Sequence, residues 1–543
     1  MKRRELIKGL TFLPLAGAIA GSTERAMGAA NEFIAPVLPD GPLTPGPQIF
    51  QSIGVEPVIN CRGTFTIIGG SIELPEVRAA MDSASRHFVQ MDELADAVGK
   101  RLAELTGAQW GMVTAGCAAA LKMATAACVA GGNPEKLHQI PDLSGLDKTE
   151  VIIPAGSFSA YDFAIQNIGV KIIRVETIEE LKDALGPKTA MIKLSGGNLV
   201  PGPMSLAVIA AIAKPLNIPI LADAAAEILT IPNVHLKNGA TMVAYSGGKA
   251  ICGPQCAGLL LGPKNILMSA WQASSPHHGA GRDNKVGREE TLGMLAAVET
   301  WVKMDHAARE KNWMTWVNAI AKRVSGIESI KTTIREPEGI NNRSASLSIS
   351  WDPEKLHLSS AELIQELISS KPRITVGGGR STDPGMASIS INASQMQPGQ
   401  DKIVGDKIFE LLSKKRSPKV ETAMKAPGSK IGGRWDLEID YFSSKSDHIL
   451  YLEQDGNWLK GIHKTDFSVR EISGSIEGNE VKFLSPGRRP AVSYTFAGTI
   501  SGDTISGKID MGEFLTANFS GKKNTKDPDR IPIVFPEGRP MGN

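Results

Sequence analysis

The sequence lacks the features of a nucleic-acid-binding, metal-dependent or disulfide-rich protein. Its 59 Lys and Arg residues are balanced by 57 Asp and Glu residues, and no long basic run recurs in the body of the chain. The electrostatic footprint of a nucleic-acid binder is therefore missing. The five cysteines are scattered, and the nine histidines show no HExxH-type spacing. We therefore predict no metal site and no disulfide framework, and we interpret the cysteines as small, semi-buried residues.

Residues 1–30 differ from the rest of the chain. Lys2, Arg3 and Arg4 precede an apolar stretch at 9–20, and small residues follow at 26–30. This order is typical of an export signal and too short for a comfortable membrane span. The paired arginines resemble a twin-arginine signal, with a Sec signal or an uncleaved anchor as the alternative. We therefore expect a periplasmic or otherwise exported protein with no stable transmembrane span after cleavage.

Length and composition indicate several folded domains. For 543 residues, of which 42% are hydrophobic, roughly 100 to 200 residues per domain gives two to four domains. Over residues 52–307, short apolar runs such as 151–153 alternate with helical patterns, as in a mostly parallel sheet covered by helices. This segment predicts a large α/β domain. The changed pattern over 308–415 predicts a smaller α+β lobe of the same enzyme.

The C-terminal part of the chain shows β-structure. A polar linker at 416–430 is followed by residues 431–524, where polar and apolar residues alternate between turn pairs such as Asp455-Gly456. This segment predicts an antiparallel β-barrel or sandwich. A Pro-rich linker at 31–51 and a tail at 525–543 complete the chain. Alternating aromatic residues of the β segment are interpreted as core rather than as a ligand-binding face: Trp435, Trp458, Tyr494 and Phe496.

Segments of the α/β region carry residue types that belong together in one site. Asp223 follows the apolar strand at 218–222, and ligands bind at the carboxyl ends of strands in open α/β sheets. A Ser-Gly-Gly-Lys run at 246–249 follows the next strand. Its glycines would allow a ligand to approach the backbone, and a lysine in a partly apolar pocket can act as a nucleophile. A small-residue helix begins at 116–118, where free N–H groups favour a phosphate.

Together these segments predict a pyridoxal 5′-phosphate (PLP) site. Lys249 would form the Schiff base, and Asp223 would keep the pyridine nitrogen protonated so that the ring acts as an electron sink. The cofactor phosphate would be held by Gly116, Cys117, Ala118 and Ser246. Each signal alone has an ordinary explanation, since Gly-Gly-Lys is often a surface turn and a strand-ending Asp is often a helix cap. Their order along the strands favours the cofactor site.

The residues around Lys249 also resemble a known family. The segments SGGKAICGPQ at 246–255, LADAAAE at 221–227 and GRDNKVGREE at 281–290 are similar to fold-type-I PLP enzymes related to bacterial selenocysteine synthase (seryl-tRNA selenium transferase). Within that family, the D-glucosaminate-6-phosphate ammonia-lyase-like branch resembles the chain in particular. The resemblance covers about residues 55–412. It implies a fold-type-I PLP-dependent transferase fold and a homodimer or higher homo-oligomer with sites at subunit interfaces.

The chain departs from the expected family pattern at 156–162. Where relatives are expected to carry a His-Arg pair before Tyr-Asp, this chain has Gly-Ser-Phe-Ser-Ala-Tyr-Asp. A ring-stacking histidine is therefore missing, and Phe158 is the candidate substitute. The tRNA-binding N-terminal domain of selenocysteine synthase is also missing, and export would separate the protein from charged tRNA. Selenium transfer and a nucleic-acid partner are accordingly not favoured.

Other polar residues are candidates for binding the substrate. Arg282 and Lys285 follow the Schiff-base segment and would suit a carboxylate or phosphate, with a solvated surface loop as the alternative. Arg380 lies in the small lobe, where fold-type-I enzymes often bind the substrate carboxylate. Lys193 and Asn198 flank a Ser-Gly-Gly run after another strand and are candidates to line the pocket, with a tight turn as the alternative.

These observations predict an exported PLP-dependent enzyme that acts on a small amino acid or amino-sugar acid. The favoured reaction is an α,β-elimination, in which Lys249 removes the Cα proton, a β-substituent is expelled, and the enamine product hydrolyses to a 2-keto acid and ammonia. Aminotransferase, β-replacement and racemase activities use the same residues and remain open. A non-catalytic envelope binding protein that retains the fold is a further alternative, although the presence of both Asp223 and Lys249 argues against it.

Overall fold

The computed structural model describes residues 42–379, 383–418, 424–487 and 492–524. These residues form two compact units that divide at residue 418. The predicted export signal, most of the Pro-rich linker, Arg380 and the predicted tail lie outside the described residues. None of the helices within the described ranges has the length and hydropathy needed to cross a membrane.

The first unit is built from alternating strands and helices. In chain order its described strands are β1 (Val58–Cys61), β2 (Trp110–Thr114), β3 (Glu150–Pro154), β4 (Lys171–Val175), β5 (Thr189–Ser195), β6 (Ile220–Asp223), β7 (Met242–Ser246), β8 (Gly258–Gly262), β9 (Lys331–Arg335), β10 (Ser346–Trp351), β11 (Arg373–Gly378) and β12 (Ala387–Asn392). Its described α-helices are α1 (Pro75–Ala84), α2 (Met91–Thr106), α3 (Gly116–Ala130), α4 (Pro134–Gln139), α5 (Phe163–Gln166), α6 (Ile178–Ala184), α7 (Leu206–Ala213), α8 (Val234–Lys237), α9 (Lys264–Ala273), α10 (Arg288–Lys303), α11 (His306–Val324), α12 (Pro353–Leu356), α13 (Ser360–Ser369) and α14 (Gln400–Ser413).

The large sheet has seven strands in the order β2-β8-β7-β6-β5-β3-β4. Its neighbours from β7 to β4 pair in parallel, whereas β8 is antiparallel to both β7 and β2. Strands β2, β5 and β8 are buried along almost their whole length. Burial on both faces explains why such strands read as continuous apolar runs in the sequence. The predicted α/β class is confirmed.

The small lobe contains a five-stranded sheet in the order β1-β11-β12-β10-β9. Its buried core includes Trp313, Trp351 and Ile389, and it draws on helices α11, α13 and α14. Strand β1 lies within the segment assigned to the large domain, yet it pairs in parallel with β11 of the small sheet. The sequence boundary therefore differs from the structure here. A local apolar pattern identifies a strand but not its distant partner.

The second unit is a closed barrel, so of the two predicted β architectures the barrel is correct. Its strands are β13 (Gly433–Asp440), β14 (Lys445–Asp455), β15 (Trp458–Lys464), β16 (Val469–Glu477), β17 (Glu480–Ser485), β18 (Tyr494–Ser501), β19 (Thr504–Asp510) and β20 (Thr516–Lys523). Each strand pairs antiparallel with the next, and β20 closes onto β13, which leaves no free sheet edge. Gly456, Gly478 and Gly502 have φ of 56°, 59° and 58° and begin two-residue turns of the kind that glycine favours.

The barrel interior is apolar except for a polar cluster towards one end. Trp435 and Phe496 are fully buried in the core, as predicted for them, whereas Trp458 is 64% exposed. His448 Nδ1 lies 2.9 Å from His463 Nε2, and His463 Nδ1 lies 2.9 Å from Ser485 Oγ. Burial lowers the pKa of His448, and burial with the neighbouring His448 and Arg470 lowers the pKa of His463 to about 3. Both rings are therefore neutral at pH 7.

Candidate active site

Adjacent parallel strands bring Asp223 and Lys249 to the same edge of the large sheet. Asp223 is the last residue of β6 and stands opposite Ala244 of β7. Lys249 follows soon after β7, which ends at Ser246. Because both strands point the same way, these residues lie at the carboxyl edge of the sheet, where ligands bind in open α/β folds.

A cavity of about 690 Å³ lies beside Lys249. This volume falls in the range of small-molecule sites. The cavity is lined by the large domain and by the small lobe, both within the first unit. Aromatic rings and side-chain amides form part of its wall: Phe65, Tyr161, Trp301, Trp313, Asn342 and Asn392.

Few hydrogen-bond donors of the described residues contact the carboxylate of Asp223. Its side chain is 12% exposed. Oδ1 accepts a hydrogen bond from the backbone N–H of Ala225 at 3.2 Å and from the thiol of Cys117 at 3.6 Å. Burial and the nearby Asp223 carboxylate raise the pKa of Cys117 well above its ordinary value, so Cys117 is a neutral donor. Asp223 thus keeps accepting capacity for a further donor.

Lys193 of β5 is a fully buried cation next to Asp223. Its Nζ lies 2.8 Å from Asp162 Oδ1 and 3.7 Å from Asp223 Oδ2, and it donates to the carbonyl of Ser157 at 2.8 Å. The predicted pocket-lining role of Lys193 does not fit this place, because the side chain is 0% exposed. The other candidate of that pair, Asn198, is held by the hydroxyl of Ser157 at 2.5 Å and does not line the cavity described above.

The start of α3 has the arrangement expected of a phosphate site. Its preceding residue, Ala115, makes no side-chain cap, so the first N–H groups of the helix lack the usual side-chain acceptor. Gly258 of β8 pairs with Thr114 on one side and with Ser246 on the other. A Cβ atom at Gly258 would lie 2.7 Å from the nitrogen of Cys117. This close packing brings Ser246 and the helix start, Gly116 to Ala118, to neighbouring positions on one sheet edge.

The glycines before Lys249 allow close packing against a neighbouring segment of the same chain. A Cβ atom at Gly247 would lie 2.7 Å from the carbonyl oxygen of Pro254, and one at Gly248 would lie 2.6 Å from the Cα of Gln255. The predicted reason for these glycines, close approach of a ligand, is therefore replaced by close packing of the segment that returns to β8. Real Cβ atoms do not tolerate such distances.

Comparison with known proteins agrees with this geometry. Residues 78–309 match the family model described as aminotransferase class-V. The region that carries Asp223 and Lys249 is therefore similar to this family. The chain's predicted identity as a fold-type-I PLP-dependent enzyme is confirmed.

Similar proteins carry different catalytic names. The chain is 29% identical to D-glucosaminate-6-phosphate ammonia lyase of Salmonella typhimurium, over 54% of this chain and 79% of that protein. It is 27% identical to 5′-C-glycyluridine monooxygenase-decarboxylase of Streptomyces sp, over 67% and 92%. It is 24% identical to L-seryl-tRNA(Sec) selenium transferase of Moorella thermoacetica, over 47% and 58%. A solved structure of D-glucosaminate-6-phosphate ammonia-lyase matches with a TM-score of 0.59 and 25% identity, over 67% of this chain and 98% of that one.

The class-V domain implies PLP as the cofactor, as predicted. The residues present fit this cofactor. Lys249 supplies an amine at the cavity, Asp223 supplies a carboxylate with free accepting capacity, and α3 supplies N–H groups at an uncapped start. Ser246 stands one strand away from that helix start. These are the donor and acceptor types that an aldehyde, a pyridine ring and a phosphate require.

Of the two aromatic residues in the segment at 156–162, Tyr161 lines the cavity and Phe158 does not. The Phe158 ring packs on the apolar core, and the guanidinium of Arg174 lies 3.8 Å from its centroid. Phe158 is not among the residues that line the cavity, whereas Tyr161 is, with its ring centroid 6.0 Å from Lys249 Nζ. The sequence signal was the Tyr-Asp pair itself, in which Asp162 accepts the N–H of Ser159 at 2.7 Å and so shapes the turn that presents Tyr161.

Arg282 and Lys285, which the sequence proposed for substrate binding, do not line the cavity beside Lys249. Arg282 and Lys285 are exposed, and Asp283 between them pairs with Lys122 at 2.7 Å. Their exposure agrees with the alternative interpretation, a solvated surface loop. Arg380 lies outside the described residues.

Other arginines, which the sequence analysis missed, do line the cavity. Arg343 is paired with Glu310 through Nε at 2.6 Å. Arg309 donates to the carbonyl of Ala250 at 3.4 Å, and Arg62 lies over an aromatic ring. Within the described residues, neither Arg62 nor Arg309 has a carboxylate within 4.0 Å. The cavity therefore carries excess positive charge. A hint in the sequence was that Arg62 lies in a segment that resembles the family.

Proposed function

We propose that this protein is a PLP-dependent ammonia lyase that acts on an acidic amino acid or amino-sugar acid. The observation that carries the proposal is the cavity that joins Lys249 with Arg62 and Arg309. The similarity to D-glucosaminate-6-phosphate ammonia lyase supports the elimination reaction. Release of ammonia and a 2-keto acid from a panel of amino acids tests the proposal, and a panel without any ammonia release would contradict it.

Each residue has a defined task in this proposal. When bound, PLP supplies an electron-withdrawing ring that stabilises negative charge at the carbon next to the amino group. Lys249 would hold the cofactor through its amine, and its Nζ would take the Cα proton of the substrate. Asp223 would hold the ring nitrogen in its protonated state, and the N–H groups at the start of α3 would hold the phosphate. Tyr161 and Trp301 form part of the cavity wall beside Lys249.

Transfer or β-replacement is the second candidate reaction. The similarity to L-seryl-tRNA(Sec) selenium transferase supports it, because that name describes a transfer. Both reactions begin with the same proton removal by Lys249. Product analysis separates them, since an elimination releases ammonia whereas a replacement retains the amino group.

Arg62→Gln and Arg309→Gln are each expected to raise KM for an acidic substrate by about 10-fold to 100-fold. A hydrogen bond to a charged group contributes about 1.5–3 kcal/mol, and each arginine lacks a described carboxylate partner. Steady-state kinetics of ammonia release would measure this change. Amino acids with a single carboxylate should be affected less than those with a second anionic group.

Arg282→Gln provides the matched control for these variants. Arg282 is exposed and does not line the cavity, so its KM should change less than twofold if the cavity arginines bind the substrate. The opposite pattern, a raised KM for Arg282→Gln alone, would place the substrate anion at the loop that the sequence favoured.

We propose that the protein is a homo-oligomer. The first unit exposes large apolar side chains, with Ile67 71%, Phe88 95% and Val200 69% exposed. Where such side chains lie together in one patch, they mark a protein interface. Light scattering of the purified protein at several concentrations measures its mass, and a monomer at all of them would contradict the proposal.

We also propose that the protein is exported through the twin-arginine route. The support is the order of paired Arg3-Arg4, an apolar stretch and small residues within positions 1–30. This route carries folded proteins and so suits an enzyme that acquires its cofactor before export. Cell fractionation checks the proposal, and retention of all of the protein with the cytoplasmic fraction would contradict it.

A further inference from the structure

A buried cation stands between the carboxylate expected to face the cofactor and a second, hidden carboxylate. Lys193 Nζ lies 2.8 Å from Asp162 Oδ1 and 3.7 Å from Asp223 Oδ2. The side chains of Lys193 and Asp162 are 0% and 1% exposed, and that of Asp223 is 12% exposed. Lys193 also donates to the carbonyl of Ser157 at 2.8 Å, which fixes the position of Nζ.

Lys193 lies closer to one of the two carboxylates than to the other. Lys193 is in direct contact with Asp162 but not with Asp223. The remaining described donors to Asp223 are the N–H of Ala225 and the thiol of Cys117, both of which are neutral. Two carboxylates and one ammonium leave a net charge of −1 when all three are ionised. That charge resides mainly on Asp223, the most exposed member.

We propose that Asp162 and Lys193 are positioning residues that set the charge Asp223 presents to the cofactor's ring nitrogen. Their pair is internally neutral, so it leaves Asp223 ionised with one negative charge to match one protonated ring nitrogen. Buried charges are stable only when they are paired, which makes the state of Asp223 sensitive to both hidden neighbours. This inference rests on the proposed role of Asp223 in the PLP site.

The two single variants should change the net charge beside the ring nitrogen in opposite directions. In Asp162→Asn, Lys193 keeps its positive charge and has Asp223 as its remaining carboxylate partner. The ammonium of Lys193 would then neutralise the negative charge that Asp223 presents to the ring nitrogen. In Lys193→Met, methionine keeps an unbranched side chain of similar size but removes the positive charge. Asp162 and Asp223 are then two nearby carboxylates without a cation, and their negative charge favours protonation of the site. The double variant Asp162→Asn/Lys193→Met removes both charges together and restores the net charge of −1.

The test uses the purified holoenzyme and the pH titration of the cofactor's visible absorbance, together with cofactor retention after gel filtration. The midpoint should move to lower pH in Asp162→Asn and to higher pH in Lys193→Met, each by about one pH unit, as for an opposite or like charge at a few ångströms. The double variant should return to within a few tenths of a pH unit of the wild type. Each single variant should also retain less cofactor than the double variant.

Lys122→Met is the matched control, because Lys122 is also largely buried and pairs with Asp283 rather than with Asp223. Its midpoint should equal that of the wild type. A double variant no closer to the wild type than either single variant would overturn the inference, as would unchanged midpoints in both singles. If Lys193→Met does not fold, a comparison of Asp162→Asn with the double variant still tests whether the pH midpoint returns to the wild-type value. A wild type without cofactor on Lys249 would instead overturn the proposed function.

Discussion

A Lys249→Ala variant is expected to lose the covalent link to PLP and to release ammonia at least about 10²-fold to 10⁴-fold more slowly than the wild type. Loss of the positioned base alone accounts for a factor of this size. Lys249 lies at the cavity, just beyond the strand β7, and its Nζ is 6.0 Å from the Tyr161 ring centroid. Visible absorbance, borohydride reduction and peptide mapping of the two proteins measure the link directly.

Lys264→Ala serves as the control for this experiment. Its side chain is 51% exposed and its Nζ lies 3.4 Å from Asp96 Oδ1, so the variant should keep the visible band and the wild-type rate. Reduced cofactor mapped to a lysine other than Lys249 would contradict the assignment. Absence of PLP from a reconstituted wild type would contradict the proposed ammonia-lyase function.

Lowering the pH from 7 to 4 is expected to reduce the free energy of unfolding of the barrel by about 3 kcal/mol through His463 alone. The pKa of His463 is about 3 in the folded barrel and about 6.5 in the unfolded chain. Because the folded-state pKa is depressed, the unfolded chain binds more protons below pH 6.5. Stability is therefore present above pH 6.5 and is lost as the pH falls towards 3. The pKa of His448 is also lowered by burial, so it acts in the same direction.

Urea unfolding of the full chain, followed by hydrogen exchange of peptides from the barrel strands, measures this loss at each pH. The double variant His448→Gln/His463→Gln keeps polar side chains but removes both titrating rings, so its pH dependence over this range should be smaller. His138→Gln is the control, because His138 is exposed. An equal pH dependence in the wild type and the double variant would show that the buried pair does not cause it.

Much of the fold could be predicted from local patterns. The large sheet was recognisable because strands such as β5 are buried on both faces and therefore apolar throughout. The barrel was recognisable because its strands alternate and are joined by turns that need a glycine with positive φ, as at Gly456. The membership of β1 in the small sheet was not recognisable, because its partner β11 is distant in the chain.

The candidate site divides in the same way. Asp223 and Lys249 could be identified because each follows an apolar strand, and strand ends are visible in sequence. The cavity position of Tyr161 could not be predicted, because Phe158 and Tyr161 belong to successive short turns whose side chains face different neighbours. The cavity position of Arg309 was also hidden, because helix α11 reaches the cavity only through packing of the lobes of the first unit.

The sequence by itself determined the class of chemistry, since the lysine, the carboxylate and the helix start each lie at the end of a strand that its own residues specify. The tertiary structure decided which charges surround that chemistry. It placed Lys193 between Asp162 and Asp223, and it placed Arg62 at the cavity while leaving Arg282 in an exposed loop. The physical reason is that electrostatic interactions depend on distance and burial, which are set by contacts between residues far apart in the chain.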